Sequence, residues 1–166
     1  MSAGKSGRPS EGTTLHLTKR HLAGYSPERT ADNPGDKSRG GWRILDEPEL
    51  HLGADVLVPD LAGWRRERLP QLPEEAYFPI APDWICEVVS PSTAAMDRVK
   101  KLRIYARERV RHAWLVDPIA RTLEVLRLED GRWTIVSTWA GLETLRAEPF
   151  EALDLDLSLL WEDTPG

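Results

Sequence analysis

The sequence predicts an α/β (α+β) domain built on one mixed sheet with a central helix. Two observations carry this. Apolar runs of strand length recur between Trp42 and Thr138, and one stretch of helical apolar spacing interrupts them after Thr93. Strands, then one helix, then more strands put the helix against a single mixed sheet. A length of 166 residues fits one domain with a real core, and 40% hydrophobic with 30% charged residues is ordinary for a globular chain.

Residues 1–40 carry Gly4, Gly7, Pro9, Gly12, Pro27, Pro34 and Gly35 among polar residues, with neither helical nor strand period. They read as a disordered or weakly ordered N-terminal tail, and residues 41–166 as the domain. Trp42 to Leu45 and Glu49 to Leu52 are short strands, the second closed by a turn at Gly53-Ala54. Val56 to Trp64 reads as one strand containing Pro59, which removes a ladder donor and marks an edge, bulge or bend. The proline-rich segment from Pro70 to Pro82 is a loop. Trp84 to Val89 is apolar on both parities, the pattern of a strand buried on both faces.

Ser92 or Thr93 caps the helix, whose core face is Val99, Leu102, Tyr105 and Ala106, and which ends near Arg107 or Glu108. Ala113 to Val116 is the next strand, closed by Asp117-Pro118. Thr122 to Leu128 and Trp133 to Thr138 flank Asp130-Gly131, a hairpin signal. Leu153 to Trp161 alternates Leu and Asp before a short apolar helical turn.

Several function classes drop out. Cys86 is the only cysteine, so no intrachain disulfide or cysteine zinc cage can form, and its apolar strand makes it a small core residue. No apolar run reaches the roughly 18 residues of a membrane span, and no apolar segment follows the basic residues of the N-terminus as in a secretory signal. The chain reads as cytoplasmic, with no membrane partner. A net charge of −5 argues against a wholly basic nucleic-acid coat protein, but local charge decides for a nuclease. His16, His21, His51 and His112 fit no metal motif, and no Walker, Rossmann or serine-nucleophile pattern is present. Trp84 and Trp114 read as core, whereas Trp42 and Trp64 suit either core or a cleft wall.

The exceptional residues are two acids. Glu87 stands inside the apolar strand Trp84 to Val89, and Asp60 stands in Val56 to Ala62. A buried carboxylate loses hydration worth several kcal/mol unless a cation, donor or metal replaces it. Two such acids on consecutive strands suggest a pair converging on one divalent cation. Mg²⁺ takes one or two protein carboxylates and completes its shell with water and phosphate oxygens. The plainer alternative gives Asp60 backbone donors and Glu87 an arginine.

The helix supplies cations: Arg98, Lys100, Lys101, Arg103, Arg107, Arg109 and Arg111 stand against only Asp97 and Glu108. Such a stripe neutralises phosphates or is merely a solvated face. Lys101 lies at the border of the buried face, placed to reach a site or to pair with Asp97 four residues earlier. Glu47 and Glu49 share a strand parity, so Glu49 is a further candidate carboxylate or an exposed edge residue.

Val58-Pro59-Asp60-Leu61-Ala62-Gly63-Trp64, Glu87 to Thr93, Asp97-Arg98 with Lys101, Tyr105-Ala106, and Trp114 to Pro118 together resemble the Uma-two family of restriction endonucleases, within the PD-(D/E)XK nuclease superfamily. The resemblance spans about Gly41 to Trp161. It implies a restriction-endonuclease-like fold and hydrolysis of DNA phosphodiester bonds with Mg²⁺, or Mn²⁺. In that reading Asp60 and Glu87 are catalytic metal ligands, the Val88 backbone carbonyl joins them, and Lys101, with Lys100 second, is the catalytic lysine. Arg98, Lys100 and Arg103 contact the nucleic acid, and a homodimer addresses two strands.

Three departures stand out. Val89 occupies the position two after Glu87 where the superfamily pattern has lysine. Arg109 stands where relatives have glycine, so a differently built turn is expected. The first 40 residues do not resemble the usual N-terminal helix and strand, so the domain is expected to lack that part. Two rivals remain, a nucleic-acid-binding module without catalysis and a carboxylate-pair glycosidase, the second disfavoured by the basic helix.

Overall fold

The computed structural model describes residues 41–89 and 94–161. The tail assigned to residues 1–40 and the helix-capping residues Ser92 and Thr93 lie outside them. In chain order the strands are β1 (Trp42–Asp46), β2 (Leu50–Leu52), β3 (Asp55–Leu57), β4 (Leu61–Arg65) and β5 (Trp84–Val88). Helix α1 (Ala94–Arg107) follows, then β6 (His112–Asp117), β7 (Thr122–Glu129), β8 (Arg132–Ala140), β9 (Thr144–Leu145), β10 (Leu155–Asp156) and α2 (Ser158–Trp161).

Six strands form one sheet in the order β1-β4-β5-β6-β7-β8. Within this sheet, among the described residues, only β5 and β6 pair in parallel. Parallel neighbours need a long crossover, and α1 provides it. The remaining pairs of this sheet are antiparallel, so the sheet is mixed, as the sequence predicts. At Asp130-Gly131 both residues have positive φ, 49° and 76°, which the primed hairpin turn between β7 and β8 requires.

The sheet has two covered faces. Successive residues of a strand point to opposite sides. Trp84, Cys86 and Val88 pack with Trp114, Val116 and the C-terminal residues Leu157, Leu160 and Trp161. Ile85 faces the other way, with Ala113, Leu115, Trp64 and the α1 residues Ile104 and Tyr105. Glu87 shares the parity of Ile85 and therefore points to the helix side. Gly63 makes room on the first face: a Cβ there would sit 3.1 Å from the Trp84 ring and 3.3 Å from the Trp42 ring. Trp42 and Trp64 are both buried, which resolves them as core and not as cleft walls.

Three local expectations need correction. Val56 to Trp64 is not one strand. Pro59 has no N–H for a ladder, and the chain bends at Val58-Pro59-Asp60, leaving β3 to pair with β2 while β4 enters the main sheet. Glu47 and Glu49 share no strand: Glu47 has a φ of 45° just after β1, and Glu49 precedes β2. Val99 is 43% exposed, because the line of α1 facing the sheet runs through Lys101, Ile104 and Tyr105.

The end of α1 corrects a fourth. Arg109 does adopt the left-handed conformation, with φ 61°. Val110 N–H donates to the Tyr105 carbonyl at 3.0 Å and Arg109 N–H to the Ala106 carbonyl at 3.1 Å, the paired bonds of a Schellman cap. The fully buried Val110 anchors the turn. Left-handed backbone costs a non-glycine residue roughly 1 kcal/mol. Arg109→Gly is therefore expected to raise the unfolding free energy by up to about 1 kcal/mol, readable as a later urea midpoint at unchanged slope.

Candidate functional site

Antiparallel pairing of β4 with β5 sets Leu61 opposite Cys86, Ala62 opposite Ile85 and Gly63 opposite Trp84. One step further along that register stand Asp60 and Glu87. The bend forced by Pro59 ends at Asp60, whose Oδ2 accepts a hydrogen bond from the Val88 N–H. The two acids thus meet beside the C-terminal end of β5, next to the first turns of α1.

Glu87 is only 8% exposed, and each of its oxygens has a donor. The Lys101 ammonium donates to Oε2 at 3.2 Å, and the Tyr105 hydroxyl donates to Oε1 at 2.9 Å. Lys101 also donates to the Val58 carbonyl at 3.2 Å and lies 3.7 Å from Asp97 Oδ2. The lysine therefore ties the β3–β4 bend, β5 and α1 together. Both roles foreseen for it, reaching Glu87 and pairing along the helix, occur at once. Lys101, not Lys100, makes the contact.

The electrostatics are those of a carboxylate short of positive charge. Burial pushes the Glu87 carboxyl up to about 7 from an ordinary 4.5. The Lys101 charge opposes this, the Asp60 charge reinforces it, and the Tyr105 hydrogen bond pulls it down. Burial, and then the charge of Glu87, raises the Tyr105 phenol above its usual range, so it stays a hydrogen-bond donor.

This donor set fits a hard divalent cation. A buried carboxylate whose proton affinity is raised by burial and by the neighbouring Asp60 charge suits a cation that takes one or two protein carboxylates with water and phosphate oxygens. Among the described residues no three His, Cys, Asp or Glu side chains are grouped so as to hold a metal ion. Glu49 accordingly does not join the pair: its Oε1 lies 2.6 Å from His51, whose ring stacks on Tyr77 at 3.9 Å.

The helix cations divide into two sets. Arg107 is committed to the β2–β3 hairpin, donating to Asp55 at 2.9 Å and to the Leu52 carbonyl at 3.4 Å. Arg98 is one turn before Lys101 on the site side, and Lys100 and Arg103 lie on an exposed outer stripe. The two residues the sequence reading missed at the site are Tyr105, taken there as core alone, and the Val58 carbonyl. The i, i+4 spacing of Lys101 and Tyr105 was the available signal.

Residues 33–159 match the family model Uma2, described as "Putative restriction endonuclease". No curated protein matches. Among solved structures, the chain is similar to the crystal structure of "a putative nuclease belonging to DUF820" from Anabaena variabilis. That likeness has a TM-score of 0.67 at 20% identity and covers 96% of this chain and 84% of the other. It shows a shared fold.

Proposed function

The chain belongs to the Uma2 family, and on that premise we propose that it is a Mg²⁺-dependent endonuclease hydrolysing phosphodiester bonds in DNA. The observation that carries the reading is the pair Asp60 and Glu87 at one strand end, with the Lys101 ammonium on Glu87. Asp60, Glu87 and the Val88 backbone carbonyl hold the cation, for which Mn²⁺ also serves. When bound, it acidifies a water and stabilises charge on the phosphate.

The remaining chemistry belongs to the chain's own side chains. Lys101, held by a carbonyl and two carboxylates, aims a positive charge where the scissile phosphate and attacking water must lie. Its arrival from α1 answers the absence of lysine at Val89. Arg98, Lys100 and Arg103 neutralise flanking phosphates. A homodimer brings two such centres to two strands. The convergence of Asp60 and Glu87 with the Lys101 ammonium at one strand end favours this reading over a binding module without catalysis.

The test is nicking of supercoiled plasmid by the purified chain in Mg²⁺ or Mn²⁺, with labelled RNA in parallel. Cleavage of DNA that stops on addition of EDTA is expected. Cleavage that survives EDTA, or none in either metal, overturns the reading. Preferential cleavage of RNA overturns its choice of substrate.

A further inference from the structure

Tyr105 has no role in the function proposed above, yet its side chain is completely buried and ends on the candidate ligand Glu87. Phenylalanine would fill the same space without a hydroxyl that needs a buried acceptor. Tyr105 lies four residues after Lys101, so one face of α1 delivers two donors to one carboxylate, a neutral one to Oε1 and a charged one to Oε2. The two contacts differ in kind. Lys101 is shared among Glu87, Val58 and Asp97 and is partly open to solvent, whereas the Tyr105 hydroxyl is enclosed and committed to Oε1.

We propose that Tyr105 is a positioning residue that keeps one oxygen of Glu87 occupied, so that this carboxylate meets a divalent cation through one oxygen only. The inference rests on the metal reading of Asp60 and Glu87. Its consequence is selectivity. Mg²⁺ demands near-octahedral geometry, whereas Ca²⁺ accepts six to eight oxygens and carboxylates bound through both. A Glu87 held to one oxygen favours Mg²⁺ over Ca²⁺, and freeing the second removes that bias.

Calorimetric titration of the full chain with Mg²⁺ and with Ca²⁺ tests this without reference to activity. In Tyr105→Phe the Mg²⁺ dissociation constant is expected to rise about 10-fold, the usual cost of losing a group that orients a metal ligand, with Ca²⁺ affected far less. Two isosteric replacements at position 105 separate hydrogen bonding from packing. 4-Aminophenylalanine keeps a donor and should retain the wild-type Mg²⁺/Ca²⁺ ratio, and 4-methylphenylalanine should show the shifted one. This pair decides the matter even if the phenylalanine variant does not fold. An unchanged ratio in the variants lacking a donor overturns the role of Tyr105 and leaves the metal centre standing. Wild-type protein that binds neither ion overturns both.

Discussion

Asp60→Asn and Glu87→Gln should each lower Mg²⁺-dependent plasmid nicking by roughly 10³-fold or more, the several kcal/mol that a metal-assisted step draws from its ligands. Both changes are nearly isosteric, and the choice matters. Asp60 accepts the Val88 N–H at the end of a buried strand, so alanine would orphan that donor at about 1–3 kcal/mol. Asparagine keeps an acceptor while removing the charge. Glutamine at 87 likewise retains an oxygen for the Tyr105 hydroxyl or the Lys101 ammonium. Activity and stability should therefore separate: nicking is lost while the urea midpoint moves little or rises. Wild-type nicking by either variant would remove that acid from the metal centre. Loss of nicking with a collapsed midpoint would make the acids structural.

How far this site was legible depends on which interactions make each part of it. Glu87 was conspicuous because both parities around it are apolar, and a strand covered on both faces leaves that trace. Asp60 is conspicuous for the same reason and its convergence with Glu87 is expected, but the strand drawn through it is broken at the bend before β4. The residues mark an edge, bulge or bend at Pro59 and suggest that the acids converge, but they do not choose a full break of the run, nor give the pairing of Leu61 with Cys86 that sets residue 60 beside residue 87. Register is a long-range property fixed by turns and packing.

Most of the core face of the helix is legible: Tyr105 is fully buried and Leu102 packs against the core, while Val99 is exposed and Ile104 is buried instead. Val99 and the Lys101–Ile104–Tyr105 line have similar spacing, and the covering sheet decides between them. Strands β9 and β10, two residues each, are too short to carry any period and exist only through their pairing. Tyr105 is easily missed as a site residue, because its ring is core and only one atom takes part in the site, so its i, i+4 spacing from Lys101 is the one signal. Arg109 shows the converse: the sequence marked a costly turn, and the chain takes it because Val110 packs into the core behind it.

The raised proton affinity of Glu87 makes the metal-free protein less stable as pH rises. In the unfolded chain this carboxyl titrates at its ordinary value of 4.5, and in the folded protein at about 7. Between those values the folded state holds more protons than the unfolded one, so the unfolding free energy falls across that window and levels off above it. The full effect is on the order of 3 kcal/mol. His112 works in the opposite sense: burial lowers its affinity for a proton, so its stabilising contribution is lost as pH falls. Comparing wild type with Glu87→Gln cancels His112 and isolates the carboxyl. The gap should open in favour of the glutamine variant from pH 5 to pH 8, measured by urea denaturation in EDTA.

Saturating Mg²⁺ should reverse the trend in the wild type alone, because a cation needs the ionised carboxylate and stabilises the folded state in proportion to its occupancy. Parallel pH curves for the two proteins in EDTA would show that Lys101 fully compensates the charge of Glu87. The carboxylate would then have no unmet need for a cation, and the strongest electrostatic argument for the metal centre would be gone.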